Sequence, residues 1–233
     1  MAWAATILTL FPDIFPGPLG ASIIGRARKD GLWRLETLDI RDFSRDKHRS
    51  VDDAPAGGGP GMVMRADILA DAIDAVPAAG RPLIYLSPRG RPIDQAFVRD
   101  LAQGPGAVLI CGRFEGVDER VLQARRVQEA SLGDFVLAGG ETAAMALIEA
   151  SVRLLPGVLG APASARDESF ENGLLEYPQY TRPRTWEGRE IPDILLSGDH
   201  KRIDDWRRRQ AIELTRARRP DLWAARGEDD NET

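Results

Sequence analysis

Cysteine and histidine are almost missing from this chain of 233 residues: Cys111 stands alone, and the histidines are His48 and His200. A lone cysteine forms no internal disulfide, which fits a reducing compartment and a cytoplasmic location. Three such residues scattered along the chain do not make the ligand set of a zinc site. Cys111 falls in an apolar run, where a thiol is expected to be core and not nucleophile. No stretch of roughly 18 apolar residues exists, so no membrane-spanning helix is expected. The segment from Met1 to Phe11 lacks a basic start and reads as a buried strand, not a signal peptide. Motifs are missing too. There is no G-x-G-x-x-G after the first strand, no G-x-x-x-x-G-K-[ST] and no G-x-S-x-G, which removes a Rossmann dinucleotide site, a P-loop and a nucleophile elbow.

What is present is glycine beside apolar runs. Leu109 to Arg120 and Leu132 to Glu141 each set a short apolar run next to glycines and a carboxylate. Glycine lets a backbone turn tightly and approach a ligand closely. A third loop, Tyr85-Leu86-Ser87-Pro88-Arg89-Gly90, ends the apolar run that starts at Pro82. Strand ends followed by tight loops are where open α/β sheets take ligands, so the three loops suggest one pocket walled by main chain. Strands are predicted at 5–11, 33–39, 82–86, 107–111 and 134–138, and helices at 20–30, 65–76, 94–101, 118–124 and 140–154. This alternation predicts an α/β fold with a mainly parallel sheet covered on both faces. The helix at 65–76 carries Ile68, Leu69, Ala72, Ile73 and Val76 at helical spacing. The glycine cluster before it, Gly57-Gly58-Gly59-Pro60-Gly61-Met62, is placed to cradle an anion at that helix's N-terminus or to serve as a flexible connection.

Beyond Gly160 the pattern changes. Residues 161–173 are small and polar and predict a linker, extending to about 176. Residues 177–233 predict a helical C-terminal unit, with a helix from Lys201 to Arg218 that sets Ile203, Trp206, Gln210 and Leu214 along one side. Ser197 or Asp199 would cap its start. The acidic tail from Glu228 to Thr233 is expected to be disordered. The net charge of -5 argues weakly against a nucleic-acid partner, but its distribution matters more. Lys201, Arg202, Arg207, Arg208, Arg209, Arg216, Arg218 and Arg219 crowd one segment, and Arg41, Arg45, Lys47, His48 and Arg49 form a second group. Charge alone leaves solvated faces and phosphate contacts equally open.

The residues carry a family resemblance from Leu10-Phe11-Pro12 to Arg219-Pro220. Its pieces are Arg41-Asp42-Phe43, Asp46-Lys47-His48-Arg49, Val51-Asp52-Asp53, the glycine cluster at 57–62, Tyr85-Leu86-Ser87-Pro88 and the two long glycine loops. Pro156-Gly157-Val158-Leu159-Gly160, Tyr180-Thr181-Arg182-Pro183 and Leu195-Leu196-Ser197-Gly198-Asp199-His200 follow. In these the chain resembles bacterial tRNA (guanine-N1)-methyltransferases of the SPOUT class. The resemblance implies a deep trefoil knot, a feature that spacing alone could not suggest. It implies a donor domain over 1–160, a linker over 161–176 carrying the base, and a tRNA-binding domain over 177–233. It also implies S-adenosyl-L-methionine as methyl donor and the guanine at tRNA position 37 as acceptor. A homodimer whose active sites draw on both subunits is implied as well. Magnesium dependence comes with it, although no ligand set is visible that would hold a metal without substrate. The donor is expected among Tyr85, Leu86, Ser87, Pro88, Gly112, Arg113, Glu115, Gly116, Leu132, Gly133, Asp134, Phe135, Val136, Leu137, Gly139 and Gly140. tRNA contact is expected at Arg45, His48, Arg49, Gly58, Gly59, Pro60, Ser197, Asp199, His200, Arg207 and Arg208.

The implied reaction sets its own requirements. Guanine N1 carries a proton at neutral pH, so a carboxylate general base must remove it as the methyl arrives. Negative charge then grows toward O6, where an arginine would stabilise it. The family pattern places the base just before Ser-Phe, usually as Asp, and here Glu168-Ser169-Phe170 stands instead. Glu168 keeps that register, and Asp167 is the alternative. Arg153 matches the arginine assigned to the guanine; alone it would read as a helix-end arginine pairing with the dipole. Glu115 or Glu141 could meet the donor's amino group or offset the sulfonium charge, and Glu141 could equally stabilise its own helix N-terminus. Tyr85 and Phe114 could flank the adenine, with core packing equally open for Phe114. The linker at 161–173 is expected to order only when tRNA binds. Two other readings stand beside this one: a SPOUT enzyme methylating a ribose 2′-hydroxyl, and a non-catalytic RNA-binding relative.

Overall fold

The computed structural model describes residues 2–160, 169–170 and 172–226. The chain divides into two compact units, Met1–Gly160 and Ala161–Thr233.

The first unit is built on a five-stranded parallel sheet. Its strands are β1 (Trp3–Thr9), β2 (Trp33–Asp39), β5 (Leu83–Pro92), β6 (Gly106–Ile110) and β7 (Gln128–Ser131), in the order β2-β1-β6-β5-β7. β6 lies at the centre and every residue of it is buried. Successive side chains leave a strand on opposite faces, and this divides the core in two. Ala5, Ile7, Ala107, Leu109 and Cys111 belong to one apolar cluster, and Leu8, Val108 and Ile110 to the other. The first cluster is closed by α1 (Ser22–Lys29), α3 (Gln95–Gln103) and α5 (Glu141–Val152), the second by α2 (Ala66–Asp74) and α4 (Glu119–Ala124). Leu147 and Ile148 of α5 are fully buried, each contributing about 1.5–3 kcal/mol of apolar burial. The α/β class and the parallel sheet covered on both faces are therefore as expected.

Two expectations are corrected. No strand forms at 134–138: Phe135, Val136 and Leu137 are exposed, and the edge strand is the polar Gln128–Ser131 upstream. An apolar run between glycines looked like a strand, but it lies past the end of β7, where no neighbour remains to pair with it. The glycine cluster also does not open α2. It is the turn of an antiparallel ribbon between β3 (Asp52–Asp53) and β4 (Val63–Met64), and β4 separates it from the helix. Gly57, Gly58, Gly59 and Gly61 all have positive φ, which only glycine adopts freely.

In the second unit, α6 (His200–Arg218) is followed by a short α7 (Pro220–Ala225), and β8 (Thr185–Trp186) pairs with β9 (Arg189–Glu190). Asp199 caps α6 by accepting from Arg202 N at 3.2 Å, while Ser197 shapes the turn before it, its Oγ accepting from Asp199 N at 3.2 Å. α6 buries Ile203, Ala211 and Thr215, with Trp206, Gln210 and Leu214 half-buried beside them. Thr215 Oγ1 donates to Ala211 O at 2.7 Å and accepts from Leu175 N at 2.8 Å, tying the 172–180 segment to the helix.

Candidate functional site

A cavity of about 360 Å³ opens where β6 and β7 end, walled by the loops after those two strands and by Tyr85–Arg89. That stretch lies inside β5: the strand expected to stop at 86 runs on to Pro92, with its pairing to β7 shifted between Leu86 and Arg91. The cavity's volume is within the range of small-ligand sites, roughly 300–1,000 Å³. Of the sixteen residues expected to meet the donor, all but Asp134 line it. Phe114, expected to flank the adenine or to pack in the core, and Ala138, inside the expected 132–140 loop, line it too; Arg89, Val117, Ala130, Ser131 and Ala143 line it as well and were not expected there. Ala130 and Ser131 escaped notice because β7 itself did. Phe114 is half exposed at φ +59°, which places it on the cavity wall and not in the core.

The wall depends on glycine at specific places. A Cβ on Gly112 would lie 2.6 Å from Tyr85 Cε2 and 2.9 Å from its hydroxyl, so the buried tyrosine ring occupies the room a side chain would need. Burial, and secondarily the Glu129 carboxylate against the opposing pull of Arg89, leaves the Tyr85 phenol above its ordinary value of 10.0. It is a protonated donor at neutral pH. A Cβ on Gly140 would lie 2.8 Å from Cys111 Cα, and Gly140 N donates to Gly112 O at 3.1 Å. The 132–140 loop is thus seated directly on the main chain of the loop after β6. The ribbon joins the same assembly: Glu115 N donates to Met62 O at 2.9 Å and Met64 N to Gly116 O at 2.9 Å.

A buried carboxylate sits behind this wall. Glu141, at the first turn of α5, is 3% exposed. Its Oε1 accepts from Thr9 Oγ1 at 2.7 Å and from Arg113 Nε at 3.3 Å. Its Oε2 lies 2.8 Å from Arg113 Nη2, an ion pair whose angle falls short of a hydrogen bond. Arg113 also donates to Ala138 O at 3.2 Å and stacks 4.3 Å over the Phe11 ring. Glu141 is therefore engaged behind the cavity and does not line it; Glu115 is the acidic residue of the lining, exposed, with its carboxylate close to Gly61 of the ribbon turn. Cys111 is fully buried, and burial first, then the Glu141 charge, raises its thiol well above 9.0, which suits a core thiol.

The remaining expected residues lie elsewhere. Arg153 caps the far end of α5, ten residues beyond Ala143 and so roughly 15 Å along the helix at 1.5 Å per residue. Arg153 and the donor cavity do not meet within the first unit. Glu168 and Asp167 lie outside the described residues, as do most of the 161–173 segment and the acidic tail. Arg45 pairs with Asp71 at 2.8 Å, and Arg49 pairs with Asp42 and Asp39. His48, Gly58, Gly59 and Pro60 are exposed on the same unit. In the second unit Ser197, Asp199, His200 and Arg208 are exposed around α6, and Arg207 stacks 5.0 Å over Tyr177 while pairing with Asp204. Among the described residues no three His, Cys, Asp or Glu side chains converge as metal ligands. No helix among them is long and apolar enough to cross a membrane.

A parallel sheet with a cavity at its carboxyl edge, walled by glycine loops, and a separate helical unit define an α/β protein of two units whose first unit carries a cavity of small-ligand size. Comparison with known proteins narrows the class. The profile of tRNA (Guanine-1)-methyltransferase TrmD matches residues 3–225. The tRNA (guanine-N(1)-)-methyltransferase of Rhodopseudomonas palustris is 66% identical over 227 residues, covering 97% of this chain and 92% of that protein. Those of Nitrobacter winogradskyi and Caulobacter vibrioides are each 63% identical, covering 97% of this chain and 95% and 92% of theirs. The chain belongs to the tRNA (guanine-1)-methyltransferase family, within the SPOUT class, whose methyl donor is S-adenosylmethionine.

Proposed function

We propose that this protein methylates N1 of the guanine at tRNA position 37, with S-adenosylmethionine held in the cavity at the ends of β6 and β7. One observation carries the reading: in a chain of this family, the two glycine loops after β6 and β7 and the 85–89 stretch of β5 close on a single cavity. Tyr85 and Phe114 offer ring faces to the adenine. Glu115 offers the exposed carboxylate to the donor's amino group.

The methyl moves from the sulfonium sulfur to N1, and the electrons of the broken bond stay on sulfur. The N1 proton passes to Glu168, whose register before Ser169-Phe170 makes it the base in preference to Asp167. General-base help of this kind supplies about 10²- to 10⁴-fold. Arg153 stabilises the charge growing on O6. Its distance from the donor cavity along α5 favours an active site completed by a second copy of the chain, as a homodimer would provide. The basic residues of α6 and of the 41–49 segment hold phosphates, which position the tRNA and do not specify it. Magnesium acts with substrates bound. The work is that of a cytoplasmic protein. The ribose-methylating and non-catalytic alternatives lose to the family match.

Single-turnover transfer from labelled donor to a tRNA transcript tests the chemistry. Glu168→Ala is expected to lose about 10²-fold or more in rate with donor affinity retained. A Glu168→Ala variant as fast as wild type removes Glu168 from the mechanism.

A further inference from the structure

The cavity is lined by three charged residues, Arg89, Arg113 and Glu115, an excess of one positive charge. A sulfonium donor is itself cationic at sulfur, so the lining alone would repel the atom that reacts. Each arginine, however, is met from outside the cavity. Glu141 holds Arg113 at 2.8 Å from behind, and Glu119 and Glu129 hold Arg89 at 3.0 and 3.1 Å. With these three carboxylates counted, the balance turns to two negative charges. Glu141 is almost fully buried, so its charge is weakly screened, whereas Glu119 and Glu129 are partly open to solvent.

We propose that Glu141 is a positioning and charge-setting residue that makes the cavity prefer the cationic methyl donor over its demethylated product. The two ligands differ only in the transferred methyl and in the charge it puts on sulfur: the donor's sulfur is cationic and the product's is neutral. Neutralising Arg113 lets that one difference favour binding of donor and release of product. Glu141 does this without lining the cavity; Thr9 holds its carboxylate, which accepts from Arg113 Nε, while the Phe11 ring meets Arg113 separately. The proposal rests on the reading that the donor occupies this cavity.

Titration calorimetry with S-adenosylmethionine and with S-adenosylhomocysteine separates the possibilities. Glu141→Gln keeps an oxygen for Thr9 and removes the charge. It is expected to weaken the donor about tenfold while leaving the product within about twofold, the scale of one unit charge across such a cavity. Arg113→Gln/Glu141→Gln, with both charges gone, is expected to restore the donor-to-product ratio. Glu119→Gln/Glu129→Gln, on more open positions, shifts the ratio in the same direction by about threefold, less so at high salt. It decides the matter if Glu141→Gln does not fold. Equal weakening of donor and product, no weakening of either, or a double variant at 113 and 141 that fails to restore the ratio overturns the proposal. Gly112→Ala tests the reading beneath it: loss of both ligands places them in the cavity, and unchanged binding of both puts the donor elsewhere.

Discussion

Gly140→Ala is the sharpest test of how the donor cavity is built. Gly140 has φ -77° and ψ -11°, a conformation alanine accepts, so the substitution carries no backbone strain. Its cost is steric. The new Cβ would sit 2.8 Å from Cys111 Cα and 3.3 Å from Gly112 N, both main-chain atoms that no rotamer change can move. The 132–140 loop must lift off the loop after β6, lengthening the 3.1 Å bond from Gly140 N to Gly112 O. Overpacking of this kind costs about 1–3 kcal/mol. Because the displaced contact is the junction of two cavity walls, donor affinity is expected to fall about tenfold, worth about 1.4 kcal/mol. Urea denaturation reads the first effect and calorimetry with S-adenosylmethionine the second. Gly160→Ala, where a Cβ meets nothing within 4 Å, is the control and should match wild type in both. A Gly140→Ala protein with unchanged midpoint and affinity would refute the close-seating argument. Lost stability with full affinity would place the donor away from this junction.

Other outcomes follow from single contacts. Thr215→Val takes the acceptor from the half-buried Leu175 N and is expected to lower stability by about 0.5–1.5 kcal/mol, read by denaturant unfolding; an unchanged midpoint would mean that this bond does not hold the 172–180 segment to the helix. Cys111 should resist alkylation in the folded protein and react fully in urea. Because its folded pKa is raised, its contribution to stability is complete below the unfolded value near 9.0 and declines as pH climbs above it toward the folded one. Replacing Cys111 with Ala should flatten that alkaline decline, and an unchanged pH profile would assign the decline to other groups. Arg208→Ala is expected to weaken tRNA binding uniformly across transcripts and reduce the salt slope by about one, while a transcript-selective loss would mean base contact.

The sheet was legible in the residues to an uneven degree. The central Gly106–Ile110 announces itself because a fully buried parallel strand is a short apolar run between turn residues, and the edge strand Trp33–Asp39 by the alternation of Trp33-Arg34-Leu35-Glu36. Gln128–Ser131 did not, since an edge strand needs apolar side chains only toward the core, and this one buries Ala130 and Ser131 alone. Phe135-Val136-Leu137 misled for the converse reason. Apolar residues that face a ligand cavity have the composition of a strand without its hydrogen-bonding neighbour. The cavity itself was foreshadowed by glycines, whose role is local and therefore visible in sequence. The Glu141–Arg113–Thr9 arrangement was not, because it joins residues 132 positions apart and only folding brings them together. Arg153 shows the limit from the other side. The family resemblance makes it a candidate, yet its place at the far end of α5 separates it from the cavity within its own unit.

The most direct test is to treat a tRNA transcript with the protein and S-adenosylmethionine, digest it and identify the methylated nucleoside and its position by mass spectrometry. The account predicts 1-methylguanosine at position 37, and no methylation of a transcript whose position 37 carries adenine. Methyl groups on a ribose, at another guanine, or on the adenine-37 transcript to the same extent would contradict it.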